Sequence, residues 1–287
     1  MKNMTRVLSL TLALLLLLTG CASKPQTPEA AETDAPAAVL VDTVNTDGFT
    51  MDYLRFGQGE RTLVILPGLA VQSVMGSAEA VAEAYAPLSE DFTIYLFERR
   101  NELPESYSIR DMAVDTAAAF QALGLKDICL FGVSMGGMIA LELAAQHADL
   151  VDKLALGSTA AAVTDTLDQT LDAWLRLAKA GDAEALYLDF GERVYPREVY
   201  EQSKELLVSA AATVTEADLA RFAILAEGMK GYDVTERLSK IACPVLAIGA
   251  QDDQVLGADA AEQIAAAFDG HADFEICLYD GYGHAAY

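Results

Sequence analysis

The sequence predicts an α/β fold: a mostly parallel, eight-stranded sheet flanked by helices, with a helical insertion ahead of its last two strands. Three observations carry this. Short apolar runs of strand type alternate with helical stretches from residue 62 onward, and such alternation builds parallel sheets covered on both faces. A glycine-rich turn, Gly132-Val133-Ser134-Met135-Gly136-Gly137, joins the strand-like run 127–131 directly to the alanine-rich, helix-like run 138–146. Between about residues 160 and 239 only helical periodicity is present.

Taken in chain order, the first 21 residues stand apart from the fold. Lys2 and Arg6 precede an almost wholly apolar run, residues 7–18. That is too short to span a bilayer comfortably but suits the core of a signal peptide. It ends in Leu18-Thr19-Gly20-Cys21, which resembles the lipobox of bacterial lipoproteins. The resemblance implies lipidation of Cys21 and attachment to the extracytoplasmic face of a membrane in the cell envelope. Two acyl chains suffice for stable anchoring where one is marginal. An ordinary secretory signal with an incidental cysteine is the alternative. Residues 22–38 are rich in Pro, Ala, Thr, Ser and Glu. They lack the apolar content to offset ordering entropy, so a disordered tether is expected.

Residues 39–287 then form one α/β domain. Residues 39–44 and 49–56 read as strands joined by the hairpin signal Asn45-Thr46-Asp47-Gly48. Residues 62–66 are a continuous apolar run, the pattern of a strand buried on both faces. Further strands are expected at 92–97, 128–131, 153–156, 245–248 and 274–279, with a helix over 108–123. The insertion, about 160–239, reads as helices 167–180, 183–194, 198–211 and 216–227, a cap over one sheet edge.

The net charge of −24 argues against nucleic acid and anionic lipid headgroups as partners. Membrane attachment would therefore rest on the lipid at Cys21. Cys129, Cys243 and Cys277 share no metal-ligand spacing. Buried free thiols are expected there.

The turn at Ser134 has the form of a nucleophile elbow, where only residues without bulk fit beside a serine pushed out for attack. A serine hydroxyl needs a neighbouring base, and the base needs an orienting group. Three histidines are available. His147 lies at the far end of the helix after the elbow, roughly 20 Å along its axis. His271 falls at the wrong edge of the sheet. His284, in Asp280-Gly281-Tyr282-Gly283-His284, follows the last strand at the edge where catalytic loops gather. His284 is the candidate base. The acid comes from Asp252 or Asp253, after the strand at 245–248. Both are turn residues in type, and Asp252 is preferred. The backbone N–H groups of Met135 and Leu69, the latter in Pro67-Gly68-Leu69-Ala70, are the candidate oxyanion hole.

Ser134, Asp252 and His284 in that order, with Leu-Pro-Gly upstream and a helical insert before the acid, resemble the α/β-hydrolase superfamily over residues 39–287. The cap and length are similar to its branch of small-molecule esterases, enol-lactonases, cofactor-free haloperoxidases and carbon–carbon bond hydrolases. The resemblance implies no metal and no organic cofactor. Three departures stand out. Pro67-Gly68 replaces the usual His-Gly, and Glu98-Arg99-Arg100-Asn101-Glu102-Leu103-Pro104 replaces Asp-x-Arg-Gly-x-Gly. The sequence also stops three residues after His284, where relatives add a helix. On that count a C-terminal helix is expected to be missing, the His284 loop to be loosely held and strand 274–279 to be left uncovered.

The expected activity is a membrane-anchored serine hydrolase that takes a small acyl substrate: an ester, thioester or lactone. The alternatives are a carbon–carbon bond hydrolase and a ligand-binding or partner-binding lipoprotein on the same fold. Within the cap, Trp174, Tyr187, Phe190, Tyr195 and Tyr200 are aromatic at helical spacing, which favours packing over substrate contact.

Overall fold

The computed structural model describes residues 38–287; the signal segment, Cys21 and nearly all of the tether lie outside the described residues. The domain opens on an antiparallel hairpin, β1 (Leu40–Asn45) and β2 (Thr50–Phe56), in which Asn45 faces Thr50. Gly48, at φ +108°, makes the turn. Then come β3 (Arg61–Leu66), β4 (Phe92–Arg100), β5 (Ile128–Val133), β6 (Val151–Gly157), β7 (Val245–Ala250) and β8 (Phe274–Tyr279). They assemble into one eight-stranded sheet in the order β1-β2-β4-β3-β5-β6-β7-β8. β2 pairs antiparallel with β4, and every later pairing is parallel.

The unbroken apolar run in β3 has its reason here. Successive side chains alternate across the sheet. Leu63 and Ile65 pack with Val74 and with Val81 of α1 (Ala78–Ala84), whereas Val64 and Leu66 join the larger core around α2 (Ile109–Ala122) and α3 (Met135–Gln146). Ser108 starts α2 with a capping box to Asp111, satisfying N–H groups that the first helical turn leaves unpaired. Helix α3 is buried from Met135 to Ala145, which is why its sequence is apolar all round. The alanine-rich α1 and α8 (Asp259–Ala267) are short helices that apolar periodicity did not single out.

The insertion is helical, as expected: α4 (Asp165–Ala180), α5 (Ala183–Val194), α6 (Arg197–Ala211) and α7 (Glu216–Met229). In α4, Leu167, Leu171, Trp174, Leu175 and Ala178 form the buried stripe, and Gly181, left-handed at φ +74°, ends the helix. The insertion is tied down at its base. Val163 N–H donates to Tyr232 O and Val234 N–H to Ala161 O, both at 2.9 Å. The Tyr232 hydroxyl donates to Met138 O at 3.0 Å, and Arg237 pairs with the buried carboxylate of Glu142. These contacts attach the cap to the elbow helix. Removing either charge of the Arg237–Glu142 pair would strand the other.

Cys129, Cys243 and Cys277 are free and half-buried rather than fully buried, and burial raises the thiols of Cys129 and Cys243. At the sheet edge Leu278 and Tyr279 of β8 are exposed, as is Tyr282 beyond it. Among the described residues no helix is long and apolar enough to cross a membrane.

Candidate active site

Ser134 is the single residue between β5 and α3, and it sits at φ +51°, ψ −120°. Non-glycine residues rarely adopt such a backbone, and it persists only where the surroundings over-determine it. They do so here. Ser134 N–H donates to Gly157 O at 2.9 Å. Ser134 O accepts from the N–H of Gly137 at 2.9 Å and from the Thr159 hydroxyl at 2.7 Å. A Cβ on Gly132 would lie 2.5 Å from Gly136 O, and one on Gly136 would lie 2.0 Å from Leu66 O. The helix packs directly on the strands at these points, so the glycines are required.

Three strand ends then converge. Ser134 Oγ lies 2.9 Å from His284 Nε2, and His284 Nδ1 lies 2.8 Å from Asp253 Oδ2. Ser134, Asp253 and His284 are all buried. The other carboxylate oxygen, Asp253 Oδ1, accepts from the N–H groups of Val255 and Leu256 at 2.8 and 2.9 Å. Burial alone would raise this carboxyl. The His284 ring and the two N–H groups overcome that and hold it below the ordinary carboxylate range. A carboxylate on Nδ1 keeps a proton there, leaving the Nε2 lone pair for the serine hydroxyl.

The preference for Asp252 is therefore corrected. In the turn after β7 the two adjacent carboxylates point to different partners, and only that of Asp253 faces the imidazole. Asp252 is exposed, and its Oδ1 accepts from the N–H groups of Gly281 and Gly283, each at 3.3 Å. It supports the His284 loop from outside. The expectation of a loosely held loop is corrected with it. Gly283–Ala285 forms a 3₁₀ turn, His284 is only 4% exposed, and the Tyr287 ring packs edge-on against Phe131 at 6.3 Å. His147 and His271 lie elsewhere; His271 Nε2 meets Ile241 O at 3.1 Å.

The lowered Asp253 carboxyl has a consequence for acid stability. A group depressed on folding stabilises the native state above its unfolded value of about 3.9, and that contribution is lost as pH falls through the folded value. Urea midpoints of the wild type and Asp253→Asn are therefore expected to differ most at pH 5–7 and to draw together as pH falls through the lowered folded value. A difference that is constant with pH would show that the carboxylate is not preferentially ionised in the fold.

Met135 and Leu69 both adjoin Ser134. Met135 opens α3, where the first N–H groups have no acceptor within the helix. The loop carrying Leu69 lies against the serine: a Cβ on Gly68 would be 3.2 Å from Ser134 Cβ. One residue behind this loop was not singled out from the sequence. Arg99 is 1% exposed and donates from Nη2 to Pro67 O at 2.6 Å. Its sequence signal was its place in Glu98-Arg99-Arg100, the three charges that close the apolar β4 run.

Between the sheet and the cap, a cleft of about 800 Å³, its open mouth included, leads to Ser134 and His284. Trp174, Phe190 and Tyr195 from the cap line it, so these three face the cleft while Tyr187 and Tyr200 do not. Tyr187 donates to Gln72 Oε1 at 3.0 Å, and Tyr200 packs beside Gly191 within the cap. Among the described residues no Lys, Arg, Asp or Glu lines the cleft. The phenols that do are held protonated by burial, Tyr85 being pushed up to about 12 and Tyr287 also raised.

Comparison with known proteins agrees with this fold. The sequence profile of the alpha/beta hydrolase fold family matches residues 61–287. A Klebsiella pneumoniae protein that bears the name carbamate hydrolase RutD is 29% identical over 60% of this chain and 66% of its own length. The 3-oxoadipate enol-lactonase 2 of Acinetobacter baylyi is 23% identical over 78% of this chain and 84% of its own. Among solved structures, MGS-M2, an alpha/beta hydrolase enzyme from a Medee basin deep-sea metagenome library, superimposes with a TM-score of 0.75. It is 21% identical, over 85% of this chain and 90% of that one.

Proposed function

This chain belongs to the α/β-hydrolase family, and from that premise we propose that it is a serine hydrolase acting on uncharged esters, thioesters or lactones with an apolar group. The observation that carries the proposal is the hydrogen-bonded chain Ser134 Oγ, His284 Nε2, His284 Nδ1, Asp253 Oδ2. Ser134 attacks the acyl carbon while His284 takes its proton. Asp253 keeps the ring in the required tautomer and stabilises the imidazolium. The N–H groups of Met135 and Leu69 receive the oxyanion. His284 returns its proton to the leaving group, and water, activated by the same ring, cleaves the acyl-enzyme.

The lining of the cleft supports the choice of substrate. A carboxylate-bearing substrate would lose its hydration there with no Lys or Arg among the described residues to receive it, which is costly. An apolar acyl or alcohol group is matched by Trp174, Phe190 and Met229. Fluorophosphonate labelling of the full-length protein, located by peptide mapping, tests the chemistry: Ser134 is expected to carry the label and Ser134→Ala none. A panel of p-nitrophenyl esters tests the substrate. Butyrate and hexanoate are expected to exceed a succinate half-ester at least a hundredfold in kcat/KM; comparable rates would exclude the neutral-substrate reading.

We also propose that the domain is carried on a membrane by acylation at Cys21, on the strength of Leu18-Thr19-Gly20-Cys21 and its flanks. Metabolic labelling with a clickable fatty acid is expected to fall to background in Cys21→Ala. Undiminished labelling would overturn the assignment.

A further inference from the structure

We propose that Arg99 is a positioning residue that fixes the oxyanion loop from beneath, and that Arg221 of α7 ties this support to the cap. The inference rests on the serine-hydrolase reading. Glu98 and Arg99, successive residues at the end of β4, grip the two ends of segment 67–74. Arg99 Nη2 donates to Pro67 O at 2.6 Å. Pro67 has no N–H, so this carbonyl is its only main-chain hydrogen-bonding group. Glu98 Oε1 accepts from Ser73 Oγ and from Val74 N–H, both at 2.9 Å. Leu69, the candidate oxyanion donor, lies between the two anchor points.

Arg99 is a costly residue to place there if its role were only to fill space. Its guanidinium is buried, forms no ion pair within 4 Å among the described residues, and leaves Nε without an acceptor among them. An apolar side chain of similar volume would avoid that desolvation. Burial lowers its pKa to about 10, so it stays charged at neutral pH. Arg99 borders a small cavity that also touches Pro67, Gly68, Met135, Arg221 and the carboxylate-bearing Glu98. It thus shares a cavity with one candidate oxyanion donor, Met135, and holds the carbonyl two residues before the other, Leu69, where a fixed positive charge favours a developing anion.

Arg221 supplies the link to the cap. Its guanidinium donates to the carbonyls of Arg99 at 3.1 Å, Arg100 at 3.0 Å and Asn101 at 3.3 Å, and it stands 3.8 Å from Glu98. The end of β4 therefore holds the oxyanion loop on one side and α7 on the other.

The test compares Arg99→Met, Arg99→Lys and Arg221→Met with the wild type in the full-length protein. The readouts are kcat and KM for p-nitrophenyl butyrate and the rate of fluorophosphonate labelling at Ser134. Arg99→Met is expected to lower kcat and the labelling rate about a hundredfold with KM within threefold, the range for losing one oxyanion donor. Arg99→Lys, which keeps the charge and a donor, is expected to recover at least a tenth of wild-type kcat. A folded Arg99→Met with kcat within threefold of wild type would overturn the proposal, as would a lysine variant no better than methionine. If Arg99→Met does not fold, the part-exposed Arg221 decides: Arg221→Met is expected to lower kcat about tenfold at constant KM, and an unchanged kcat overturns the proposal. A wild-type protein unlabelled at Ser134 would instead remove the hydrolase reading itself.

Discussion

Ser134→Ala is expected to lower kcat for an apolar ester by about 10⁶, with His284→Ala costing much the same and the double variant little more. The reason is geometric. Ser134 Oγ and His284 Nε2 are 2.9 Å apart in a buried site, so the hydroxyl is a nucleophile only while the ring can take its proton. Removing either member disables the pair, and removing both subtracts nothing further. Alanine keeps the Cβ already accommodated at φ +51°, so the fold is expected to survive, as circular dichroism would verify. Additive losses, or a serine variant within a hundredfold of wild type, would show that the two residues do not act together.

Asp253→Asn is expected to lower kcat about 10⁴-fold, and Asp252→Asn less than tenfold. An amide at position 253 can donate to Nδ1. That favours the tautomer with its proton on Nε2, which cannot accept from the serine. Among the described residues Asp252 accepts from the N–H groups of Gly281 and Gly283 and not from the imidazole, so its loss loosens the loop without reversing the ring. Measuring kcat for the two neighbours side by side isolates the orientation effect, because their charge change is identical. Equal losses would mean that net charge near His284, and not its tautomer, governs turnover.

Much of this molecule was legible in residue order because its signals are local. The spacing of Gly132, Gly136 and Gly137 around Ser134 reports a backbone that packs too closely for a Cβ. The apolar run of β3 reports burial on both faces, and the stripe Leu167-Leu171-Trp174-Leu175-Ala178 reports a cap helix with one buried side. His284 followed from scarcity: three histidines, of which one stands after the last strand at the right edge.

By itself, then, the sequence determined the strand order along the chain, the helical insertion, the elbow and its serine, and the histidine beside it. Each rests on periodicity, small residues or chain position. What only the tertiary structure decided depends on where side chains point once remote segments meet. Asp252 and Asp253 are the same residue type in the same turn, and only the direction of each carboxylate separates a partner of Nδ1 from a support for the loop. Arg99 reads as one charge among three at the end of β4, until the fold buries it under Pro67. The neutrality of the cleft belongs to no segment, because it is made by residues from β3, β4, β5, the loops beyond the strands and the cap. Local sequence constrains backbone conformation through short-range sterics, whereas the surroundings of a buried charge are set by atoms distant in sequence, and those exist only in the folded chain.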